Sequence, residues 1–225
     1  MKKMDSIGND IIDLNFIDAS RSRNQRFFSK FISESEQNLF ERSGLSFEVF
    51  VWLLWSIKES VYKCQKRMLP GTLFSPLIMT VQELDACCDK KGMELNAECF
   101  EQDSAERCHW RASVSLGARN FYARSLTSSR FIFTTARLLD SSHNVYGGIK
   151  FINDSGYDNQ HSEVRSFALQ RFGQIFGRSE ELIIEKNIAG IPFLFRNGSN
   201  TGVVLSFSHH YHFIAYSFTG NELFC

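Results

Sequence analysis

The stretch FEVFVWLLWSIKESVYKCQKR, residues 47–67, is apolar or aromatic on most sides of a helix. A helix of this kind is largely buried, so its charges belong to a functional site more often than average. Glu59 and Lys63 are four residues apart and share one helical face. A carboxylate with a nearby lysine suits a magnesium–diphosphate complex. The alternative is an ordinary surface ion pair, which contributes little to stability.

An acidic residue also interrupts the strand predicted at residues 6–14, SIGNDIIDL. A carboxylate in such an apolar strand is costly to bury unpaired, and a metal ion at Asp10 would offset that cost. Gly8 leaves room for a ligand to approach the backbone. Taken alone, the segment favours the simpler alternative, in which Asp10 caps a turn or pairs with a lysine.

The rest of the chain predicts further helices and strands. Ser33 followed by Glu36 is a capping-box signature, and Gly44 suits the end of the helix that it starts. Further elements are expected as an extended segment at 73–84, a strand or hairpin at 110–126, a strand from 130, a helix at 162–176, short strands at 182–185 and 191–195, and one or two strands at 203–218. Residues 86–103 predict a hairpin or loop, and 140–161 and 196–202 predict loops or turns.

A polar run, LSFSHHYH, occupies residues 205–212. In an ideal strand the side chains of Ser206, Ser208 and His210 face one way and that of His209 faces the other. Hydroxyl and imidazole groups can donate hydrogen bonds to phosphate oxygens. Two alternatives stay open: polar residues on an edge strand, and a zinc site built from the histidines at 209–212, for which the spacing supplies no evident further ligand.

Two segments resemble each other: SVSLGARNFYARSL at 113–126 and SFSHHYHFIAYSF at 206–218. Both begin with Ser-x-Ser and end in Phe-x-Ala-x-Ser, and a single-residue gap aligns them. The similarity arises either by chance between two strands or by duplication. Duplication predicts an α+β fold of two similar strand–helix–strand halves, residues 1–127 and 128–225, packed as a pseudo-twofold dimer. The first half would hold the acidic residues and the second the Ser-His strand.

Together, IGNDIIDL, WSIKESVYK and LSFSHH resemble the motifs of the 4′-phosphopantetheinyl transferase superfamily: a Gly-x-Asp strand, a Trp-x-x-Lys-Glu-x-x-x-Lys helix and a Ser-x-Ser-His strand. RFFSKFISESE at 26–36 and IAGIPFLF at 188–195 also look like family segments. The motif order is that of the short holo-acyl-carrier-protein synthase type. The length is nearer the longer, surfactin-synthetase-activating type, so the chain looks like a fused pseudo-dimer with its halves in swapped order.

Carried over to this sequence, the resemblance implies that Asp10 and Glu59 bind magnesium and that Lys63 contacts the diphosphate of coenzyme A. Lys58 would share that role or hold the helix. Members of the longer type often carry a second acid where this chain has Ile12, which leaves a water molecule to complete the metal shell. The other implied coenzyme A contacts are His209 and Ser208 at its phosphates, and Gly190 and Pro192 in the wall of the cofactor cleft.

The implied reaction is attack of a carrier-protein serine on the β-phosphate of coenzyme A, with release of adenosine 3′,5′-bisphosphate and Glu59 as the leading candidate for the base. The expected partner is an apo acyl or peptidyl carrier protein, small and typically acidic. A fused pseudo-dimer has no need to dimerise, so a monomer is expected. The candidate docking residues are Arg21, Arg23, Arg26 and Lys30.

Three rival interpretations remain. The first is an inactive relative that only binds coenzyme A or a carrier protein. The second is an unrelated metal-dependent hydrolase that uses Asp10 and the histidines at 209–212. The third is a scaffold or interaction module with Phe-rich surfaces. Metal-dependent turnover separates the transferase from the inactive relative. Tight transition-metal content would indicate the hydrolase, and a lack of cofactor binding would indicate the scaffold.

Composition excludes some classes of function. Lys plus Arg and Asp plus Glu each number 25, and the resulting net charge of zero removes the general argument for nucleic-acid binding. No apolar run reaches the length of a membrane span, and the start MKKMDSIGND lacks the apolar core of a secretory signal. The six cysteines follow no disulfide spacing and are expected as reduced thiols in the cytoplasm.

Overall fold

The computed structural model describes residues 6–87, 93–95, 108–138, 145–177 and 181–219. These residues form two sheets, each with a long helix packed on it. The helices are α1 (Ala19–Ser22), α2 (Gln25–Phe28), α3 (Glu34–Ser43), α4 (Phe47–Met68) and α5 (Tyr157–Phe176). The strands are β1 (Ile7–Asp13), β2 (Met79–Cys87), β3 (Met93–Leu95), β4 (Cys108–Leu116), β5 (Arg119–Thr127), β6 (Phe131–Leu138), β7 (Val145–Phe151), β8 (Leu182–Lys186), β9 (Pro192–Arg196), β10 (Ser199–His210) and β11 (Phe213–Thr219).

The first sheet has the strand order β1-β6-β5-β4-β2, and the second has the order β3-β7-β11-β10-β9-β8. All neighbours are antiparallel except β3 and β7. This mixed architecture agrees with the expected α+β class. The division of the chain into related halves at residue 127 stays a prediction; β6, which follows that boundary, pairs with β1 and β5 in the first sheet. Among the helices described here, none has the combined length and apolar character needed to cross a lipid bilayer.

Most of the expected elements are present. The capping box of α3 is confirmed: the Ser33 side chain accepts from the Glu36 N–H, the Glu36 side chain accepts from the Ser33 N–H, and Gly44 follows with φ +67°. The extended segment expected at 73–84 becomes a strand only at Met79, after a 3-10 turn at Pro76–Ile78. Most of the hairpin or loop expected at 86–103 lies outside the described residues.

The loop predicted at 140–161 is wrong, because it contains β7 and the start of α5. The adjacent glycines of β7 suggested a loop, yet their role is close packing. A Cβ on Gly148 would lie 2.6 Å from the ring of Tyr216 on β11, and one on Gly147 would lie 3.2 Å from the ring of Phe133 on β6. The glycines therefore let a strand fit between two aromatic side chains.

The two repeated segments each form an antiparallel hairpin, β4–β5 in the first sheet and β10–β11 in the second. Their registers differ. Ser115 pairs with Asn120, whereas its counterpart in the alignment, Ser208, pairs with Ala215. Both segments are therefore antiparallel hairpins, but residues that align in sequence do not occupy equivalent positions in the strand pairing. Duplication stays a hypothesis.

Apolar side chains of the described residues pack in three clusters. One lies between α3, α4 and the first sheet, and a second lies between α5 and the second sheet. The third joins the two sheets and includes Ile11 of β1, Phe133 of β6 and Ala215 of β11. Because side chains alternate along a strand, β1 sends Ile12 to the first cluster and Ile11 to the third.

Strand β1 is buried along all seven residues and touches α4 through Gly8. A Cβ at Gly8 would lie 2.0 Å from the Ser60 carbonyl oxygen and 2.5 Å from the Cys64 nitrogen, both in the backbone of α4. Glycine therefore allows the backbones of strand and helix to meet, and this contact brings Asp10, two residues further on, alongside α4.

Gly8→Ala should destabilise the protein by about 2 kcal/mol or more, because the added methyl group overlaps backbone atoms that cannot rotate away. Urea unfolding monitored by circular dichroism measures this change. Gly71→Ala is the matched control, since nothing lies within 4 Å of its Cβ position, and its free energy of unfolding should change by less than about 0.5 kcal/mol. Equal losses in the two variants would contradict the argument.

Candidate active site

Asp10 of β1 meets Glu59 and Lys63 of α4. The Lys63 Nζ donates to the Asn9 carbonyl oxygen at 2.9 Å and to Asp10 Oδ1 at 3.3 Å, and it lies 3.8 Å from Glu59 Oε1. Glu59 and Lys63 occupy successive turns of α4, as their spacing predicted. The structure thus places one ammonium group between two carboxylates.

Asp10 forms the floor of this group. It is 6% exposed, whereas the side chains of Glu59 and Lys63 are 22% and 26% exposed and reach solvent. Its Oδ2 has no hydrogen-bond partner among the described residues. Burial raises the pKa of Asp10 to about 6; the nearby Lys63 charge opposes this rise and the Glu59 carboxylate adds to it. The carboxylate is therefore held in a site that disfavours its charge.

The acidic pair fits a divalent cation. An unpartnered buried carboxylate oxygen beside a second carboxylate is the environment that bound Mg²⁺ would stabilise. Mg²⁺ commonly takes one or two carboxylates and fills its remaining positions with water and phosphate oxygens. Within the described ranges, no three Asp, Glu, His or Cys side chains gather as metal ligands, so the donor set resembles an open magnesium site more than a closed zinc site.

A pocket of about 200 Å³ opens beside the acidic pair. Gly190 and Pro192, which the sequence assigned to a cleft wall, both line it. Its basic lining residues are Lys63, Lys66, Arg67 and Lys186, and no acidic residue is among those that line it. The other lining residues are mainly apolar and include Ser206 of β10. A concave, mainly apolar site with several positive charges suits a ligand that carries phosphate groups.

Arg67 holds the wall of this pocket in place. Its Nη2 donates to the carbonyl oxygen of Pro192, at 2.9 Å, and to that of Leu205, and its guanidinium lies over the Phe193 ring. Pro192 has no N–H to offer β10, and the guanidinium of Arg67 instead donates to the Leu205 carbonyl oxygen of that strand. Burial lowers the pKa of Arg67 to about 10, and the group stays protonated at neutral pH.

The side chain of His209 continues the basic surface on β10. Its ring lies 4.8 Å from that of His161 on α5, measured between centroids. Burial is the main cause that lowers the pKa of His209 to about 4, and cationic neighbours, His161, Lys63 and Lys186 among them, lower it further. Burial is also the main cause that lowers the pKa values of His161 and Lys186, and the charge of Arg165 lowers both further. The positive charges of Lys63, Lys186 and Arg165 around these imidazoles favour a bound anion.

A family model for the 4′-phosphopantetheinyl transferase superfamily matches residues 6–124, more than half of the 225 residues. The chain belongs to this superfamily. The matched segment contains Asp10, Glu59 and Lys63, and the reaction that names the superfamily is transfer of 4′-phosphopantetheine. Neither the curated proteins nor the solved structures gave a match to the chain.

The Ser-His strand of this superfamily member lies beyond the matched segment and turns two faces to different neighbours. Ser206, Ser208 and His210 face β1, as strand alternation predicted: Ser206 Oγ and Ser208 Oγ accept from Asn9, and His210 Nδ1 accepts from the Asp13 N–H at 2.9 Å. His209 faces α5 instead. With the histidines turned apart, the described residues offer no support for the zinc-site alternative.

Lys58, the other lysine of the helix motif, is buried away from the pocket. Its Nζ donates to the Phe31 carbonyl oxygen at 2.5 Å and to Glu36 at 2.8 Å, and its side chain is 0% exposed. Glu36 also accepts from the Val81 N–H at 2.8 Å. This geometry favours the helix-holding alternative over a contact with phosphate, because Lys58 joins α4 to α3 and β2.

Several basic residues near the pocket and His209 were missed from the sequence. His161 and Arg165 are four apart on α5, and this spacing was a usable signal. Lys186 ends a short strand and gave none. Ile12, where the longer family type often has an acid, packs in the apolar cluster against α4, so Asp10 and Glu59 are the acids that the described residues place at the site.

Asp10→Asn should stabilise the metal-free protein at pH 8 by about 1–3 kcal/mol. Asp10 has its pKa raised from 3.8 to about 6 in the folded state, so its contribution to stability is complete below pH 4 and is lost as the pH rises through 6. The gain of the variant should therefore fade below pH 4. Urea unfolding in EDTA across this range measures it.

The matched control is Asp13→Asn. The oxygens of Asp13 accept from the Asn15 and His212 N–H groups, so removing its charge should bring no gain in stability. A gain of similar size in both variants, or in neither, would refute the account of Asp10.

Proposed function

We propose that this chain transfers the 4′-phosphopantetheine arm of coenzyme A to a serine of an acyl or peptidyl carrier protein in a magnesium-dependent reaction of the holo-acyl-carrier-protein synthase type. The observation that carries the proposal is the meeting of Asp10, Glu59 and Lys63, all within the segment that matches the superfamily, at the edge of a basic pocket. Carboxylates that suit a metal cation lie next to positively charged side chains that suit a phosphate-bearing ligand.

The reaction forms one P–O bond and breaks another. The serine oxygen attacks the β-phosphorus of coenzyme A, and the bond from that phosphorus to the bridging oxygen breaks. Adenosine 3′,5′-bisphosphate leaves with the electron pair, and the serine proton passes to a base. Glu59 is the proposed base, directly or through a water, because its carboxylate is partly exposed whereas Asp10 is buried.

The chain's own groups position the reactants and stabilise charge. Asp10 and Glu59 would hold Mg²⁺, which when bound supplies neutralisation of charge on the diphosphate and the leaving group. Lys63 already donates to Asn9 and Asp10, and an ammonium group has three donors. Its third N–H is proposed to reach a diphosphate oxygen.

The basic pocket is the proposed site of coenzyme A. Lys66 and Lys186 line it, Gly190 and Pro192 shape it, and Arg67 fixes its wall. We assign His209, together with His161 and Arg165, to the phosphate groups on the side of α5. His209 would act there as a neutral hydrogen-bonding group at pH 7, since its pKa is about 4 in the free protein.

Both sheets contribute to this proposed site: Asp10, Glu59 and Lys63 come from the first sheet and its helix, and Lys186 and His209 from the second. We infer that one chain supplies what a symmetric dimer supplies with two, and that it acts as a monomer. The hairpins β4–β5 and β10–β11, one in each half and each in its own sheet, support the two-half description. The cytoplasmic location stays a prediction.

The reaction itself is tested by intact-mass spectrometry of apo carrier proteins incubated with the chain, coenzyme A and Mg²⁺. We expect a gain of one phosphopantetheine arm that EDTA abolishes and that Glu59→Gln slows about 100-fold or more. Glu41→Gln, an exposed glutamate on α3, is the control and should leave the rate unchanged.

The other outcomes discriminate between the rival functions. No transfer to several carriers, with coenzyme A still bound, would favour a relative that has kept binding and lost catalysis. No transfer and no binding would refute the proposed function. Transfer that persists in EDTA would refute its magnesium dependence.

Lys186→Gln should raise the KM for coenzyme A about tenfold and leave kcat within about threefold, because it removes one positive charge from the pocket without touching the acidic pair. Steady-state kinetics with carrier protein in excess measures both constants. Lys150→Gln is the control, since Lys150 lies outside the pocket and pairs with Glu163 at 2.6 Å. A KM that rises equally in both variants would contradict a specific role for Lys186.

A further inference from the structure

Asn9 stands directly before Asp10 and is 0% exposed. Its backbone N–H donates to Ser206 Oγ at 3.1 Å, and its side-chain Nδ2 donates to Ser208 Oγ at 2.8 Å and to the Ala215 carbonyl oxygen at 3.4 Å. Its own carbonyl oxygen accepts from Lys63. One buried residue thus connects α4 to two strands of the second sheet.

These bonds replace a sheet ladder. On one side β1 pairs with β6, whereas toward β10 the bonds run through side chains. Besides the bonds of Asn9, the Asp13 N–H donates to His210, and the His212 N–H donates to Asp13 Oδ2 at 3.4 Å. The bonded positions 9 and 13 bracket Asp10 along the strand. These bonds fix the backbone at Asn9, whose carbonyl oxygen accepts from Lys63, and thereby the orientation of the adjoining Asp10 toward Lys63.

The Ser208 hydroxyl is used inside the protein, whereas Ser206 lines the pocket. Ser208 is 3% exposed and accepts from Asn9, and it is not among the residues that line the pocket. This arrangement differs from the role that the sequence suggested for Ser208, direct contact with coenzyme A phosphates. His209, the next residue, faces His161 of α5 on the opposite side of the strand.

We propose that Asn9 is a positioning residue, that Ser208 acts through it, and that this pair holds the carboxylate of Asp10 where it binds the metal ion. The inference rests on the proposed function for the identity of the metal site. It assigns to Ser208 an effect on the metal and none on the cofactor. Misplacement of a reacting group by about 1 Å can cost about 100-fold in rate, so loss of the Asn9–Ser208 bond should reduce both metal affinity and turnover.

A double-mutant cycle of Asn9→Ala and Ser208→Ala tests the coupling. Binding of Mn²⁺ to the chain alone, followed by electron paramagnetic resonance, and binding of coenzyme A in EDTA, followed by calorimetry, are measured for each variant. We expect Mn²⁺ affinity to fall about fivefold or more in each single variant, with less than a twofold further loss in the double variant. Affinity for coenzyme A should stay within about twofold.

Ser217→Ala is the matched control. Ser217 is equally buried on the adjacent strand β11, and its Oγ has no hydrogen-bond partner among the described residues, so its Mn²⁺ affinity should match the wild type. Asp10→Asn sets the lower limit, since it removes the proposed ligand.

Three results would overturn the proposal: unchanged Mn²⁺ affinity in Ser208→Ala, additive losses of Mn²⁺ affinity in the cycle, or a loss of coenzyme A affinity in Ser208→Ala that persists when Asn9 is already Ala. If Asn9→Ala does not fold, Ser208→Ala alone decides between weaker metal binding and weaker coenzyme A binding. A wild type that binds Mn²⁺ through Asp10 yet transfers nothing would refute the proposed function while leaving the positioning role of Asn9 intact.

Discussion

The buried position of β1 is the constraint on which the rest of the structure depends. The strand lies at the edge of its sheet, and all seven of its residues are nevertheless buried. Buried N–H groups need partners, and toward β10 the partners at Asn9 and Asp13 are the side chains of Ser206 and His210. Gly8 lets α4 close over the strand from the other side. Ser206 and His210 of β10 are therefore needed as hydrogen-bond acceptors for the buried backbone of β1, whatever else they do.

The site disfavours the charged forms of its own titratable groups, which costs stability in the ligand-free protein. Asp10 carries a raised pKa, and His209 carries a lowered one, so each group is held where its charged form is disfavoured. Lys63 pairs with both carboxylates, whereas Lys66, Arg67 and Lys186 line the pocket, where the described lining has no acidic residue. A cation bound together with a polyanion satisfies the carboxylates and the lining cations at once. Strain of this kind is expected at functional sites.

Local sequence signals predicted the parts of the fold that local physics decides. The capping box of α3 follows from a Ser-x-x-Glu motif, the burial of α4 from its apolar character on most sides, and the face alternation of β10 from the two-residue period of a strand. Contacts between distant segments did not. Lys186 is remote in sequence from Lys63, and Arg67 contacts Pro192 only through the tertiary fold. Gly148 suggested a loop because the Tyr216 ring that packs against it lies on another strand.

The two hairpins show why a two-half chain would need only one site. In the alignment of the repeats, Leu116 stands where the second hairpin has His209, and Leu116 packs against the apolar cluster under α4, whereas His209 faces His161. The pairing of Ser115 with Asn120 also differs from that of Ser208 with Ala215. The first hairpin thus serves the core that supports Asp10 and Glu59. The second keeps one polar face that meets β1 and another on which His209 meets His161. This division holds whether the likeness arose by duplication or by chance.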